Sequence, residues 1–489
     1  MRIWKTVIAA GLAAGILTGC APTVVSQSPR EIVHVSPVSY SPHSSLKQQI
    51  DVIVEKELLP YTNVGIKIVS LQKGDTLYEY NARLLQPAAS NQKLFTAATA
   101  LALFGKDKEV ATTVAFDPEA GSIYLKGCGD SMLTNDELAN LAGVAAPKID
   151  QRNGYVLLAD LTCFDDTYWG KGWMWDDEPD PDGMYISPLS VNLNTISVRV
   201  SPGEAAGMPA VVSVAPRTTL VKIDNRAVTG FAGRRGSVKV TRNPGDRDNL
   251  ITISGTISLG ASPAVKRLTI WKPELFALGL FGDALRARGI TIIKTGIAGA
   301  PPGIPVIARK GRPVGDLVRF MLKKSDNLSA ESLLKFIAHE ATRRPGSADS
   351  GSRAVLDYLK THHVPVDKVV VADGSGLSRY NLTNPETIIR LLEEVYRDHE
   401  IFPLFYDSLP IAGKDGTLAA RMKGTPAEGK LRGKTGTMSG ISALSGYLST
   451  AEEEPLAFSI IIQNYAGPPQ HARDIQDRIG ALLCSFRRK

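Results

Sequence analysis

The sequence predicts an α/β body interrupted early by a long β-rich insert. Three observations lead there. A β-hairpin at 64–80 runs into an apolar, Ala-rich helix at 90–104. The texture then changes, between about 106 and 308, to short alternating strands separated by Gly, Pro and Asp. Long helical periodicities return near 314 and give way to three closely spaced strands before a final helix. A chain of 489 residues is too long for one ordinary core; at roughly 100–200 residues per domain it holds two to four. The expected division is 1–19 for an export signal, 20–45 for a tether, 46–105 and 309–489 for the two parts of the body, and 106–308 for the insert. The insert has room for two small nested domains.

The elements follow in order. Arg2 and Lys5 precede a small-residue apolar stretch, 7–17, that is too short to span a bilayer comfortably. It ends in Leu17-Thr18-Gly19-Cys20, which resembles the lipobox of bacterial lipoproteins, in which the Cys is lipidated and becomes the N-terminus. Residues 21–45, rich in Ser, Pro and Val, read as a tether that lifts the body off a membrane. Ala21 lacks the acidic character of an inner-membrane retention signal, so the outer membrane is the expected location in a diderm host. Residues 46–59 have helical periodicity and stop at Pro60; 64–71 and 76–80 form the hairpin around Lys73-Gly74-Asp75. Within the insert, strands are expected at 121–126, 155–161, 195–200, 211–215, 237–241 and 250–257. Helices follow at 314–322 and 328–342 and around Asp357 and Glu386. Strands at 430–437, 443–449 and 456–463 and a helix at 471–485 close the chain.

Three short motifs appear in order: Ser90-Asn91-Gln92-Lys93, Ser325-Asp326-Asn327 and Lys434-Thr435-Gly436-Thr437. Each is weak alone. S-x-x-K recurs at Ser44, Ser70 and Ser332, S-x-N at Ser190, and K-T-G at Lys294. Context separates the copies: Ser90 alone opens an apolar helix directly after a hairpin, and Lys434 alone begins a Gly/Ser-rich hairpin after the S-D-N motif. The chemistry is coherent. Residues i and i+3 share a helix face, so Lys93 lies beside Ser90. A serine needs a base to become a nucleophile, and a lysine serves as base only when burial, aided by a second cation such as Lys434, lowers its pKa. Ser325 is expected to relay a proton to the leaving amine, and Asn327 to hold Lys93 and the substrate amide. Strand addition on 434–437 suits an extended peptide, with Gly436 leaving room for that approach. Lys434, Thr435 and Thr437 suit a terminal carboxylate, and the N–H groups of Ser90 and Thr437 an oxyanion. This machinery calls for no cofactor and no metal.

Such a trio in this order is the signature of penicillin-binding proteins and class A β-lactamases. Further segments extend the likeness: 87–103, Gly127-Cys128-Gly129-Asp130, 164–194, Leu328-Ser329-Ala330-Glu331, 373–379 and 412–418. On these the chain resembles the low-molecular-mass class C penicillin-binding proteins, the D-alanyl-D-alanine carboxypeptidase/endopeptidases of peptidase family S13. The resemblance implies a penicillin-binding-protein/β-lactamase-like transpeptidase domain carrying nested β-rich inserts. It implies a Ser90 acyl-enzyme on peptidoglycan stem peptides and on β-lactams, with Ser90, Lys93, Ser325, Asn327 and Lys434 catalytic. It further implies that Arg379 engages the charged end of a diaminopimelate side chain, with Phe164 walling the same subsite. Three departures stand out: the lipobox, Cys128 at a glycine-type position, and Ser439 where some members carry a longer amide.

The net charge of +7 suits peptidoglycan or an anionic membrane, reached through the lipid anchor of a periplasmic protein. Nucleic acid is set aside because no motif or Lys/Arg run supports it. With Cys20 lipidated, three thiols remain, so at least one stays free or pairs between chains; Cys484 lies on an apolar stripe, and a Cys128–Cys163 bridge is left open. The competing readings are a serine β-lactamase, for which no deacylating base is evident, and an inactive cell-wall-binding lipoprotein, which the intact motifs disfavour.

Overall fold

The structure is a computed structural model that describes residues 45–57, 62–150, 154–178, 180–243 and 247–488. The export signal, Cys20 and the tether up to Ser44 lie outside the described residues.

The body is organised by a five-stranded antiparallel sheet. Its order is Arg432–Met438, Ile441–Ser449, Pro455–Gln463, Asn63–Ser70, Thr76–Tyr80. The central strands are buried at nearly every residue, so both of their faces are covered. That is why Ile460 to Ile462 reads as a continuous apolar run instead of an alternation. Helix Pro385–Arg397 packs on the strands 63–70 and 455–463, and Gln470–Ser485 on 441–449. Helix Leu46–Glu57 packs on Gln470–Ser485 and on strand 76–80.

Helix Lys93–Phe104 is buried from Lys93 to Leu101. It is apolar on every side because helices surround it, the expected pattern for a central helix. Val314–Lys324, Asn327–Thr342, Ala348–Thr361 and Phe402–Ser408 pack against it. Leu94, Phe95, Met321, Leu333 and Ile337 share one core there.

The insert leaves and re-enters the body on paired strands, Glu109–Asp117 outward and Val306–Pro313 back. They belong to a five-stranded mixed sheet in which Ser122–Lys126, Tyr155–Asp160 and Ile292–Ile297 run parallel. Parallel neighbours need a crossover, and two helices supply it: Asn135–Ala145 and Pro273–Arg286. Both are helices that the reading of a β-rich insert did not place. Their end signals were present in the chain: a Thr134/Glu137 capping box and Pro273 in the first turn. Two smaller sheets, one of Thr195–Ser201, Val211–Ala215 and Ala264–Thr269 and one built around Leu250–Ser258, share a single second core with these helices.

Cys128 and Cys163 form a disulfide, with Cα atoms 5.3 Å apart. It staples the turns that follow two parallel strands. Gly129 beside it has φ +102, and a Cβ there would lie 2.7 Å from the Phe164 ring, so only glycine fits this turn. Cys484 is free and buried on the last helix.

Candidate active site

Ser90 stands in a 3-10 turn, Ala89–Gln92, and the α-helix begins at Lys93. The expected α-helical start at Ser90 is therefore a tighter turn. A 3-10 turn eclipses residues i and i+3, which sets Lys93 directly over Ser90: Lys93 Nζ lies 2.9 Å from Ser90 Oγ. Gly436 explains how the edge strand reaches this turn. A Cβ at Gly436 would meet the Ala88 carbonyl at 2.7 Å and the Ala89 Cβ at 3.1 Å. The glycine makes room for the serine turn itself, and not, as the motif alone suggested, for a substrate.

Lys93 is wholly buried and has two further acceptors, Asn327 Oδ1 at 2.6 Å and the Ser375 carbonyl at 2.7 Å. Burial lowers its pKa from 10.5 to about 8, against the opposing pull of nearby acidic groups, Asp373 first. Lys434 is also buried; its Nζ donates to Ser325 Oγ at 2.8 Å and to the Thr435 carbonyl at 2.7 Å. Its pKa is pushed well below the usual lysine range, first by burial and then by the charge of Lys93. Ser325 caps its helix in the left-handed region at φ 60°, a conformation uncommon for a non-glycine residue. Asp326 then caps the next helix by accepting from the Ser329 N–H. This tight reversal puts Ser325 beside Lys434 and Asn327 beside Lys93. Asn327 Nδ2 donates to the Asp182 carbonyl at 2.9 Å.

Strand Arg432–Met438 is the sheet's edge. Gly433 turns its N–H outward to the Pro410 carbonyl at 3.0 Å. Strand alternation therefore turns the backbone groups of Thr435 and Thr437 outward too, available to an extended peptide or to an oxyanion. A cleft of about 620 Å³ joins Ser90, Ser325, Asn327, Thr435 and Thr437. The Thr435 hydroxyl lies 2.7 Å from that of Thr417, and Arg473 donates to the Thr437 hydroxyl at 3.1 Å. Sequence reasoning assigned no role to Thr417, Arg473, Asp182 or Ser375. Thr417 and Ser375 lie in segments that carried the resemblance, whereas Arg473 stands on the last helix with no local pattern to mark it.

An adjoining pocket of about 440 Å³ is lined by Arg379 and Ser439 and by Asp176, Asp177, Asp180 and Asp182. Arg379 donates to the Ser439 backbone carbonyl at 2.9 Å, so Ser439 contributes there through its main chain. Phe164 is a correction: it is buried in the helical core and lines neither cavity. Its backbone bridges Gly346, and its ring packs against Gly129 and sits 5.9 Å from Lys335 Nζ.

Among the described residues, the cluster with metal-ligand chemistry is Cys128, Cys163 and His339, in which the two sulfurs are bonded to each other.

The D-Ala-D-Ala carboxypeptidase 3 (S13) family model matches residues 46–485. A D-alanyl-D-alanine carboxypeptidase of Actinomadura sp. (strain R39) is 35% identical over 466 residues, covering 91% of this chain and 85% of that one. One from Haemophilus influenzae is 25% identical over 416 residues, covering 83% and 86%. The crystal structure of penicillin-binding protein 4 from H. influenzae superposes with a TM-score of 0.79 at 23% identity, over 89% of this chain and 99% of that one. The same protein complexed with a novel β-lactam gives 0.74 at 22% identity, over 90% and 100%.

Proposed function

The chain belongs to the D-Ala-D-Ala carboxypeptidase 3 (S13) family, and on that premise we propose that it is a penicillin-binding serine hydrolase of peptidoglycan that works through a Ser90 acyl-enzyme. The observation that carries this reading is the set of three contacts around Lys93 Nζ. A neutral amine has two N–H bonds and one lone pair. Asn327 Oδ1 and the Ser375 carbonyl accept the two hydrogens, which leaves the lone pair aimed at Ser90 Oγ.

Lys93 takes the Ser90 proton as Oγ attacks the carbonyl carbon of the penultimate D-Ala. The outward N–H of Thr437, with that of Ser90, holds the developing oxyanion. Ser325, held by Lys434, passes a proton to the departing amine. The terminal D-Ala leaves, and water then hydrolyses the ester. Thr435, Thr437 and Arg473 suit the substrate's terminal carboxylate. A β-lactam follows the first half of the path: its ring amide opens onto Ser90.

The adjoining pocket supports a finer reading, that the enzyme also cleaves D-Ala–meso-diaminopimelate cross-links. A diaminopimelate side chain ends in a carboxylate and an ammonium, and the pocket sets one guanidinium, Arg379, against four aspartates. We further propose an exported, periplasmic lipoprotein anchored at Cys20, preferably in the outer membrane of a diderm host. This rests on the charge, apolar run and Leu17-Thr18-Gly19-Cys20 order of the N-terminus.

The test is digestion of purified muropeptides, comparing pentapeptide trimming with cross-link cleavage, alongside intact-mass measurement after β-lactam treatment. One covalent adduct is expected, and Ser90→Ala abolishes both the adduct and the digestion. An adduct that persists in Ser90→Ala refutes the assignment.

A further inference from the structure

Glu331 is a buried ionisable group next to this machinery for which the reaction above has no use. It lies on helix Asn327–Thr342, four residues after Asn327 and hence on the same face. Its side chain is fully enclosed, and its Oε1 accepts from the backbone N–H groups of Gly374 at 3.1 Å and Ser375 at 2.8 Å. The peptide unit next along, that of Ser375, presents its carbonyl to Lys93 Nζ. From the other side Thr96, three residues after Lys93, donates to the Gly374 carbonyl at 2.9 Å. The loop 374–376 is thus gripped between two helices. Its last residue, Gly376, sits so close to the serine turn that a Cβ would lie 2.0 Å from the Ala89 carbonyl.

We propose that Glu331 is a positioning residue that, by clamping the Gly374 and Ser375 N–H groups, turns the Ser375 carbonyl onto Lys93 and so aims the Lys93 lone pair at Ser90. This rests on the reading of Ser90 as nucleophile and Lys93 as base. Glu331 does this work as the neutral acid. The charged groups facing it are Asp373 from the loop and Lys93 from the neighbouring helix. Five donors converge on Asp373: Trp173 Nε1, Ser375 Oγ, Asn381 Nδ2 and the N–H groups of Gly376 and Ser378. That pattern suits an acceptor-only carboxylate. Glu331 has two donors on one oxygen, and its buried Oε2 has no hydrogen-bond partner among the described residues. An enclosed carboxyl with few donors beside the charge of Asp373 favours the protonated form of Glu331. Burial and the charge of Asp373 raise the Glu331 pKa to about 7 in keeping with this.

The experiment measures β-lactam acylation of the full-length protein, separating the rate at saturation from the half-saturating concentration, with melting temperature recorded. Glu331→Leu removes the clamp; the saturating rate falls by about a hundredfold, the scale of a small misplacement of a reacting group, while half-saturation stays put. Glu331→Gln keeps a carbonyl oxygen for both N–H groups and no charge; it acylates within about threefold of wild type, with the same pH profile. Where Glu331→Leu does not fold, Glu331→Asp replaces it: its oxygen is drawn back by one methylene, and it acylates slowly where Glu331→Gln does not. Wild-type rates in Glu331→Leu or Glu331→Asp overturn the proposal, as does a Glu331→Gln as slow as either. Lys93→Ala is the control for the premise: if it acylates normally, the base assignment fails, whatever Glu331 does.

Discussion

The sharpest consequence of the site is the pH dependence of Ser90 acylation. Lys93 accepts the Ser90 proton only as a neutral amine, and burial has lowered its pKa from 10.5 to about 8. At pH 7 about 9% of such a lysine is neutral, against about 0.03% of an ordinary one. Burial therefore multiplies the reactive form by about 300-fold at neutral pH. The sign follows directly: lowering the pH protonates the base, so the rate falls toward acid. The second-order acylation constant is expected to rise about tenfold between pH 7 and 9 and then level. Loss of β-lactam absorbance under excess enzyme, followed from pH 6 to 9.5, reads it. A second arm separates the two lysines. Lys434 is the one depressed by its neighbour, so Lys434→Met is expected to leave the Lys93 limb in place while the absolute rate drops with loss of the Ser325 partner. A profile flat from pH 6 to 9, or one still climbing tenfold per unit at pH 9.5, refutes Lys93 as a base tuned by burial.

Two further outcomes follow from the proposals. Arg379→Ala is expected to lower kcat/KM for diaminopimelate-containing peptides by roughly ten- to a hundredfold, the worth of a charged hydrogen bond, while penicillin acylation changes little; equal losses for both would make Arg379 a support of the fold. Cys20→Ser is expected to move the protein from the detergent phase to the aqueous phase, because a lipid anchor is lost; full solubility of the wild type would remove the lipobox reading.

The catalytic groups were legible because each motif is local and its context is decisive. The decoy Ser332 to Lys335 shows why context matters: Ser332 is buried mid-helix, and Lys335 is paired with Asp165 at 2.5 Å. What escaped the sequence is non-local or carried by backbone. Ser375 meets the base through its main-chain carbonyl, a role that its side chain does not advertise. Arg473 meets Thr437 from 36 residues away, across the packing of the last helix. Phe164 misled for the opposite reason. Its segment borders the site, but a strand-end aromatic next to a glycine turn points into the core as readily as out of it. The helices Asn135–Ala145 and Pro273–Arg286 were masked by the short strands around them, although their caps were in plain sequence.

The electrostatics of the cleft explain how a lysine can serve as the base. Burial pushes both lysines toward the neutral form, and a base must still be able to hold the proton it takes. Three carboxylates, Asp373, Asp326 and Asp182, pull Lys93 back toward the charged form, and the balance falls near pH 8, where both states are accessible. Asp373 acts at a distance through a loop that must lie against the serine turn, and that loop depends on Gly376. With φ +84 and a Cβ position 2.0 Å from the Ala89 carbonyl, no side chain fits there without moving the turn. The segment 373–378 thus sets the direction of the base through the Ser375 carbonyl and its proton affinity through Asp373. Its spacing from Ser90 is fixed by the contact at Gly376. Direction, affinity and distance are tied to six consecutive residues gripped by the two helices that carry Lys93 and Asn327.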